Sequence, residues 1–276
     1  MFKKKECPYC FRTIEEGEEI CPHCNKKLVE KRTNRMTFLP FRKEIALFFI
    51  GLFGFQIVGL LVQLLITVIA ASSFSNEADY EAFMDSAPVA AGVNFGVYLL
   101  LFISLTLVLQ KDNIKLAKTF KNWVVPVAAI VGFITIIIFN YSYNIFLSLI
   151  GYSINNNANE SSIEAVVSSY PLMSILVFGI IGPICEEITY RVGLFTLLRR
   201  VNMFLGYAVT IFVFAFIHFD FSSADIANEL LNLPYYISAA AVFCVLYEKF
   251  GFACSLSAHV INNLISIFGS IIVSLS

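Results

Sequence analysis

Ionisable residues interrupt the apolar C-terminal half of this 276-residue chain at three places. Glu186, Glu187 and Arg191 lie in one otherwise apolar stretch, and His218 and His259 lie in two others. An ionisable group inside a membrane is costly unless it is paired, so each of these residues is a candidate functional residue. Glu187 and Arg191 can pair on one helix face, which leaves Glu186 without a partner nearby in the sequence.

The spacing of Glu186 and His218 predicts that they lie at the same depth. Glu186 lies 14 residues before Arg200, and His218 lies 14 residues after Phe204. Two helices joined near Asn202 would therefore place both side chains about 21 Å from the end of the hairpin.

The third ionisable site has an amide residue beside it. His259 lies ten residues after Lys249, or about 15 Å from the same side, and Asn263 follows on the same helix face. A Glu and a His can activate a water molecule, while a second His and an Asn can stabilise an oxyanion. Two alternatives stay open at this point: a divalent metal held by the same side chains, and histidines that only clamp helices together.

The composition identifies the surroundings of these residues as a membrane. Apolar residues make up 58% of the chain and charged residues 14%, and the mean hydropathy is +0.77. Soluble domains carry about 25% charged residues. Disordered, collagen-like and ordinary cytosolic proteins are therefore excluded. The net charge of −1 hides a segregation, because 11 of the 19 Lys and Arg residues precede Ile45.

Uncharged runs predict an all-α polytopic membrane bundle of about seven or eight transmembrane helices. No signal peptide is expected within residues 1–43. Basic and acidic connections alternate along the chain, which favours seven helices with a cytoplasmic N-terminus. The seven runs are 45–76, 86–110, 122–159, 165–185, 201–219, 230–247 and 250–276.

The N-terminal head contains two C-P-x-C sequences. Cys7, Cys10, Cys21 and Cys24 have the spacing of a four-cysteine site for structural Zn²⁺, in which His23 is a bystander. A redox pair or disulfides are the alternatives. So short a segment cannot bury enough apolar surface to fold alone, so the metal would stabilise it.

These features divide the chain into four parts. Residues 1–28 are the zinc ribbon, and residues 29–43 are a basic juxtamembrane linker near anionic headgroups. Residues 44–164 contain the N-terminal transmembrane helices, and residues 165–276 contain the membrane domain with the candidate site.

Three short motifs in the last part resemble those of the CPBP intramembrane proteases, also called the CAAX prenyl endopeptidase or Abi family. Residues 186–191 (EEITYR) resemble the family motif E-E-x-x-x-R. Residues 214–218 (FAFIH) resemble F-x-x-x-H, and residues 259–263 (HVINN) resemble H-x-x-x-N. Together the motifs cover about residues 165–270. The head and the first three helices lie outside the resemblance.

The resemblance implies a helical-bundle endopeptidase that cleaves peptide bonds within or beside the membrane. The family was long described as metalloproteases, but its best-studied members look metal-independent, which favours no catalytic metal here. Asp220 is a lower-ranked alternative partner for His218. The implied roles are activation of water by Glu186 and His218, oxyanion stabilisation by His259 and Asn263, and support by Glu187, Arg191 and Phe214.

Two non-enzymatic functions are alternatives: a membrane scaffold or regulator with the same fold, and a proton-coupled transporter. The intact motifs favour catalysis, and the lack of an obvious internal repeat disfavours a transporter. The expected partners are the lipid bilayer, a membrane-associated peptide or protein substrate and a cytosolic protein that binds the ribbon. Binding of nucleic acid is not expected. The residue usage favours a multi-pass protein of a bacterial plasma membrane. Bacterial relatives suggest pheromone processing or bacteriocin immunity.

Overall fold

The structure is a computed structural model that describes residues 4–7, 9–15, 18, 20–26, 28 and 39–275. The head contains the antiparallel strands β1 (Lys4–Glu6) and β2 (Thr13–Glu15). Residues 29–38 of the predicted linker lie outside the described residues. The helices are α1 (Phe41–Ser73), α2 (Glu77–Met84), α3 (Ala87–Leu109), α4 (Asp112–Lys118), α5 (Val124–Leu149), α6 (Ala158–Ser169), α7 (Pro171–Leu176), α8 (Gly182–Glu186), α9 (Thr196–Arg199), α10 (Met203–Phe216), α11 (Ile226–Phe250) and α12 (Phe252–Leu275).

The prediction of an all-α polytopic membrane fold is confirmed. Within the described residues, six helices are long and apolar enough to cross a membrane. Five are α1, α3, α5, α11 and α12, and the sixth is the continuous helix Pro171–Arg199, here called the site helix, which includes α7, α8 and α9.

Two predicted spans differ from the structure. The uncharged run 165–185 covers only part of the fourth span, because the site helix continues through the charged residues to Arg199, as the depth derived for Glu186 from Arg200 requires. It can do so because those residues are paired inside the protein, as described below. The run 201–219 contains only α10, whose 14 residues span about 21 Å, less than the hydrocarbon thickness of about 30 Å.

The site helix is not a regular α-helix. Two π-helical segments interrupt it, at Val177–Ile181 and at Glu187–Phe195. π-Helical turns are rare and are often found at functional sites, because they change the direction of neighbouring side chains. The second segment contains two of the three charged residues of the first motif.

Helix α1 packs closely against the site helix. A Cβ atom added at Gly51 would lie 1.9 Å from the Thr189 Oγ1, so a side chain does not fit there without displacing one helix. Buried apolar residues of α1, α3, α11 and α12 surround the site helix, among them Leu47, Leu105 and Tyr247. This packing places the site helix in the centre of the bundle.

Ion pairs bring the basic connections together at one end of the bundle. Arg200 donates from Nε and Nη2 to the Glu44 carboxylate, at 2.7 Å each, and from Nη2 to the Leu39 carbonyl. This bidentate pair connects the start of α1 to the turn between α9 and α10. Two further pairs at this end are Lys43–Asp112 at 2.7 Å and Arg199–Glu248 at 2.7 Å.

Candidate active site and candidate metal centre

The two adjacent glutamates of the site helix have different surroundings. The Glu187 side chain is fully buried, whereas 16% of the Glu186 side chain is exposed toward the cavities described below. Only Glu186 is therefore open to a water molecule or a substrate.

His259 of α12 contacts both carboxylates. Its Nδ1 lies 3.0 Å from Glu187 Oε1, and its Nε2 lies 3.5 Å from Glu186 Oε2. A carboxylate accepts hydrogen bonds, so the Nδ1–H donates to Glu187. The sequence left Glu186 without a partner, and the structure gives it His259 from a distant helix.

Arg191 neutralises the buried glutamate. Its Nη1 lies 3.3 Å from Glu187 Oε1, and both side chains are fully buried, as their i,i+4 spacing predicts. The Phe214 and Phe243 rings cover the guanidinium, with centroids 4.4 Å and 5.2 Å from Cζ. Phe214 thus supports the site through Arg191.

Ser255 is a site residue that the sequence analysis missed. Its hydroxyl donates a hydrogen bond to Glu187 Oε2 and lies 3.0 Å from the Phe243 carbonyl oxygen. Ser255 is fully buried and lies one helical turn before His259, on the same face of α12. The spacing S-x-x-x-H before the third motif was the available signal.

His218 follows the C-terminal end of α10, and its hydrogen bond determines its tautomer. The Nδ1 lies 2.8 Å from the Phe214 carbonyl oxygen, which can only accept, so Nδ1 carries the proton. In a neutral ring the Nε2 is then an unprotonated base. The Tyr236 ring stacks on the imidazole with a centroid distance of 4.4 Å and fixes its orientation.

Asn263 stabilises the first π-helical segment. Its Nδ2 donates to the Phe178 carbonyl oxygen at 3.1 Å, and its Oδ1 lies 3.4 Å from Asn262 Nδ2. The second Nδ2 hydrogen is available for another acceptor. Asn263 lines a cavity together with Glu186 and both site histidines.

Two cavities meet at Glu186 and His218. The larger has a volume of about 480 Å³ and lies between α1, α3, the site helix and α10 with mostly apolar walls. The smaller has a volume of about 150 Å³ and lies between the site helix, α6, α11 and α12. Asp220 lines neither cavity, and its carboxylate accepts hydrogen bonds from Ser222.

The structure therefore brings the four predicted catalytic residues together around connected cavities. Glu186 and His218 provide two bases, and His259 and Asn263 line the same smaller cavity with an imidazole and an amide that can donate hydrogen bonds. Such a set can remove a proton from water and stabilise negative charge on a carbonyl oxygen.

The four head cysteines form a compact cluster. The Sγ atoms of Cys7 and Cys24 are 3.8 Å apart, and those of Cys10 and Cys21 are 3.6 Å apart. A tetrahedral ion with Zn–S bonds of about 2.3 Å requires S–S distances of about 3.8 Å. All four Sγ atoms lie within 4.8 Å of one another, so the cluster fits a metal ion.

The two knuckles have the same backbone conformation. The residues that follow the second cysteine of each knuckle, Phe11 and Asn25, have φ angles of +60° and +54°. Their N–H groups donate to the carbonyl oxygens of Cys7 and Cys21 at 2.9 Å. Because this turn is repeated, the Sγ atoms of both cysteine pairs face the same point between the two knuckles.

The surroundings of Cys21 favour a thiolate, whereas the pKa values of Cys7 and Cys24 are raised in the absence of a bound metal. Burial raises the pKa of Cys21, but hydrogen bonds, first from the His23 N–H, outweigh it and bring this pKa to about 6. The His23 Nε2 lies 3.2 Å from the Thr13 carbonyl oxygen, to which it donates, so its ring is engaged outside the cluster. In the described part of the chain, no other set of three Cys, His, Asp or Glu ligand atoms clusters as closely.

Comparisons with known proteins agree with this site. Residues 168–265 match the family model of the Type II CAAX prenyl endopeptidase Rce1-like proteins, which confirms the resemblance drawn from the three motifs. The match includes all four candidate catalytic residues, and the matched family is a family of proteases.

The chain is also similar to the UPF0177 protein YvdC of Lactococcus lactis. The two are 25% identical over 179 residues, which cover 64% of each chain, so the similarity spans less than two thirds of that relative. No solved structure matches the chain.

Proposed function

We propose that the membrane domain is an intramembrane endopeptidase that hydrolyses peptide bonds with a water molecule activated by Glu186 and His218. The observation that carries the proposal is the convergence of these two bases on the cavity that His259 and Asn263 also line. The family match, which includes these residues, supports the same conclusion.

The proposed reaction begins with a water molecule between Glu186 and the His218 Nε2. One of these bases takes a proton as the water oxygen attacks the carbonyl carbon of the peptide bond. The resulting oxyanion accepts hydrogen bonds from the free Nδ2–H of Asn263 and from the Nε2–H of His259, whose two ring nitrogens both carry a proton in this mechanism. The carbon–nitrogen bond then breaks, and the protonated base gives its proton to the leaving amine.

Glu187 has a positioning role in this mechanism. Its buried carboxylate accepts the Nδ1–H of His259 and therefore holds the imidazole with Nε2 toward Glu186. Ser255 and Arg191 fix the carboxylate in turn. Such supporting contacts keep catalytic groups within the narrow geometry that the reaction needs.

The two cavities suit the two reactants. The larger has mostly apolar walls and is large enough for part of a hydrophobic peptide. The smaller is lined by polar residues that include Asn159, Asn262 and Ser266, so it can supply water to the same two bases. A hydrolase surrounded by lipid needs both routes.

Cleavage assays on site variants test the proposal. The purified full-length protein is incubated with a library of quenched fluorescent hydrophobic peptides in detergent. Glu186→Gln, His218→Gln and His259→Ala should each reduce cleavage at least about 100-fold, because each removes a base or an oxyanion donor. Asp220→Asn is the matched control, since Asp220 is an acid that lines neither cavity. Near-wild-type cleavage by Glu186→Gln would show that the assigned base is wrong.

The head has a structural role in the proposal. Four thiolates at tetrahedral distances select Zn²⁺ among the common cellular cations, and the ion replaces the hydrophobic core that so small a segment lacks. The head lies in the cytosol, where it binds a protein partner. The basic connections at one end of the bundle support this placement, because the positive-inside rule favours the cytoplasmic side of a bacterial plasma membrane for them.

The substrates in the proposal are membrane-associated peptides or proteins. A role in bacteriocin immunity would require cleavage, or binding, of a hydrophobic peptide in the plane of the membrane. Expression of the wild-type and Glu186→Gln proteins in a bacteriocin-sensitive bacterium measures this directly. Protection by the wild-type protein alone would connect immunity to proteolysis, and equal protection by both would favour the scaffold function.

A further inference from the structure

Part of the wall of the larger cavity belongs to α1, outside the segment that matches the protease family. Gly51, Leu52, Phe55 and Gln56 line it. These positions follow the spacing i, i+1, i+4, i+5, so they lie on one face of the helix. Gln56 is the polar residue of this face.

Gln56 lies at the level of the candidate catalytic residues. The ion pair of Glu44 with Arg200 places those two residues at the same level at one end of the bundle. Gln56 lies 12 residues from Glu44, or about 18 Å along α1, and Glu186 lies 14 residues from Arg200, or about 21 Å along the site helix. The two side chains therefore line the same cavity at similar depths.

The Gln56 carboxamide forms no hydrogen bond with the described residues. Gln56 is itself exposed at the edge of the cavity, and its neighbours on α1, among them Ile57 and Leu60, are exposed apolar residues. A polar side chain inside a membrane is costly without a partner and marks a functional site by default. The unused group points to a ligand that provides both a donor and an acceptor.

An extended peptide backbone is such a ligand. A peptide bond in a helix is shielded by its own hydrogen bonds, so a segment must unwind before water can attack its carbonyl carbon. The unwound N–H and C=O groups then need partners, because each unsatisfied group in a lipid environment is costly. A glutamine carboxamide can accept from the N–H and donate to the C=O.

We propose that Gln56 binds the extended backbone of a hydrophobic peptide substrate next to the bond that is cleaved. The side chains of that segment occupy the apolar part of the larger cavity, beside Leu52 and Phe55. This inference rests on the proposed protease function, and it makes α1 part of the substrate-binding site.

The test compares two glutamines of the same helix. Gln56→Met removes the carboxamide and keeps the length of the side chain. Gln63→Met is the matched control, because Gln63 lies on the same face two turns further along α1 and lines neither cavity. Both variants are reconstituted in phospholipid vesicles with a quenched hydrophobic peptide, about 20 residues long, that has a glycine-containing centre.

We expect Gln56→Met to raise the KM about tenfold and to leave kcat within about twofold, since it removes hydrogen bonds to bound substrate and touches no reacting atom. Gln63→Met should retain the wild-type KM. An unchanged KM in Gln56→Met, or an equal rise in both variants, would overturn the inference while the protease function stands.

A binding measurement separates this inference from the proposed function. The same peptide, labelled with one fluorophore, is titrated with protein that carries Glu186→Gln, with and without Gln56→Met, and its anisotropy is measured. Binding that weakens about tenfold with Gln56→Met would support the inference even if no form cleaves the peptide. Binding that is absent, or equal in both proteins, would overturn it.

Discussion

The same substitution at the two adjacent glutamates of the site helix should affect different properties, stability at Glu187 and activity at Glu186. Glu187→Gln removes the negative charge beside Arg191, whose side chain is fully buried and forms no other ion pair with the described residues. Glu186→Gln removes a charge that is open to the cavities. The first substitution should lower stability, and the second should lower activity alone.

The magnitude follows from the burial of the pair. Breaking a buried ion pair by removing one partner costs about 3–5 kcal/mol, because the remaining charge is left uncompensated in an apolar environment. The Phe214 and Phe243 rings on both sides of the guanidinium provide only a small part of the lost attraction. Glu187→Gln should therefore lower the free energy of unfolding by about 3–5 kcal/mol. Glu186→Gln should lower it by less than about 1 kcal/mol.

A second substitution tests the reason for this loss. Adding Arg191→Met to Glu187→Gln removes the uncompensated cation and keeps an apolar side chain of similar length between the two rings. The double variant should recover most of the lost stability, since replacement of a buried ion pair by apolar residues is often neutral. The assay is unfolding of the purified protein in mixed detergent micelles by increasing sodium dodecyl sulfate, followed by circular dichroism.

Two results would refute the reasoning. One is a Glu187→Gln protein that is as stable as Glu186→Gln, which would mean that the charge of Arg191 does not depend on Glu187. The other is a double variant whose loss of stability equals the sum of the losses measured for Glu187→Gln and Arg191→Met separately. Substitutions of independent residues add in this way, whereas substitutions of the two partners of an ion pair do not.

Three other perturbations have defined outcomes. Cys21→Ser should release one zinc per chain in a metal assay and leave peptide cleavage unchanged; loss of cleavage would give the head a catalytic role. Burial raises the pKa of Asp112, but hydrogen bonds and charge from Lys115 and Lys43 have a larger effect and hold that pKa below its ordinary value. The advantage in melting temperature over Asp112→Asn should therefore exist above about pH 4 and disappear as the pH falls below it; a constant difference would exclude this linkage. Gly51→Ala should lower the melting temperature because its Cβ overlaps Thr189, and adding Thr189→Gly should restore it.

Much of the site was predictable because its residues are exceptions in their surroundings. Glu186, His218 and His259 are ionisable residues in apolar stretches, and helical rise alone placed the first two at one depth. The pairing of Glu187 with Arg191 followed from their i,i+4 spacing, and the cysteine spacing predicted the metal cluster.

Other features depend on contacts between distant parts of the chain. One example is the fourth span, whose uncharged run ends at residue 185 because hydropathy counts a charge as a break even where a buried partner neutralises it, whereas the site helix continues to Arg199. The contact of Glu187 with His259 and Ser255 also needs α12 beside the site helix.

The amino-acid sequence by itself determined the membrane class of the protein, the position of the four-cysteine cluster and the residues able to do chemistry. These properties depend on composition and short spacing, which are local. Only the tertiary structure decided which glutamate is open to a cavity and which is buried, and that Gln56 of α1 lines the same cavity as Glu186. The π-helical turns of the site helix and the packing of α1 and α12 against it set these directions, and no local pattern encodes them.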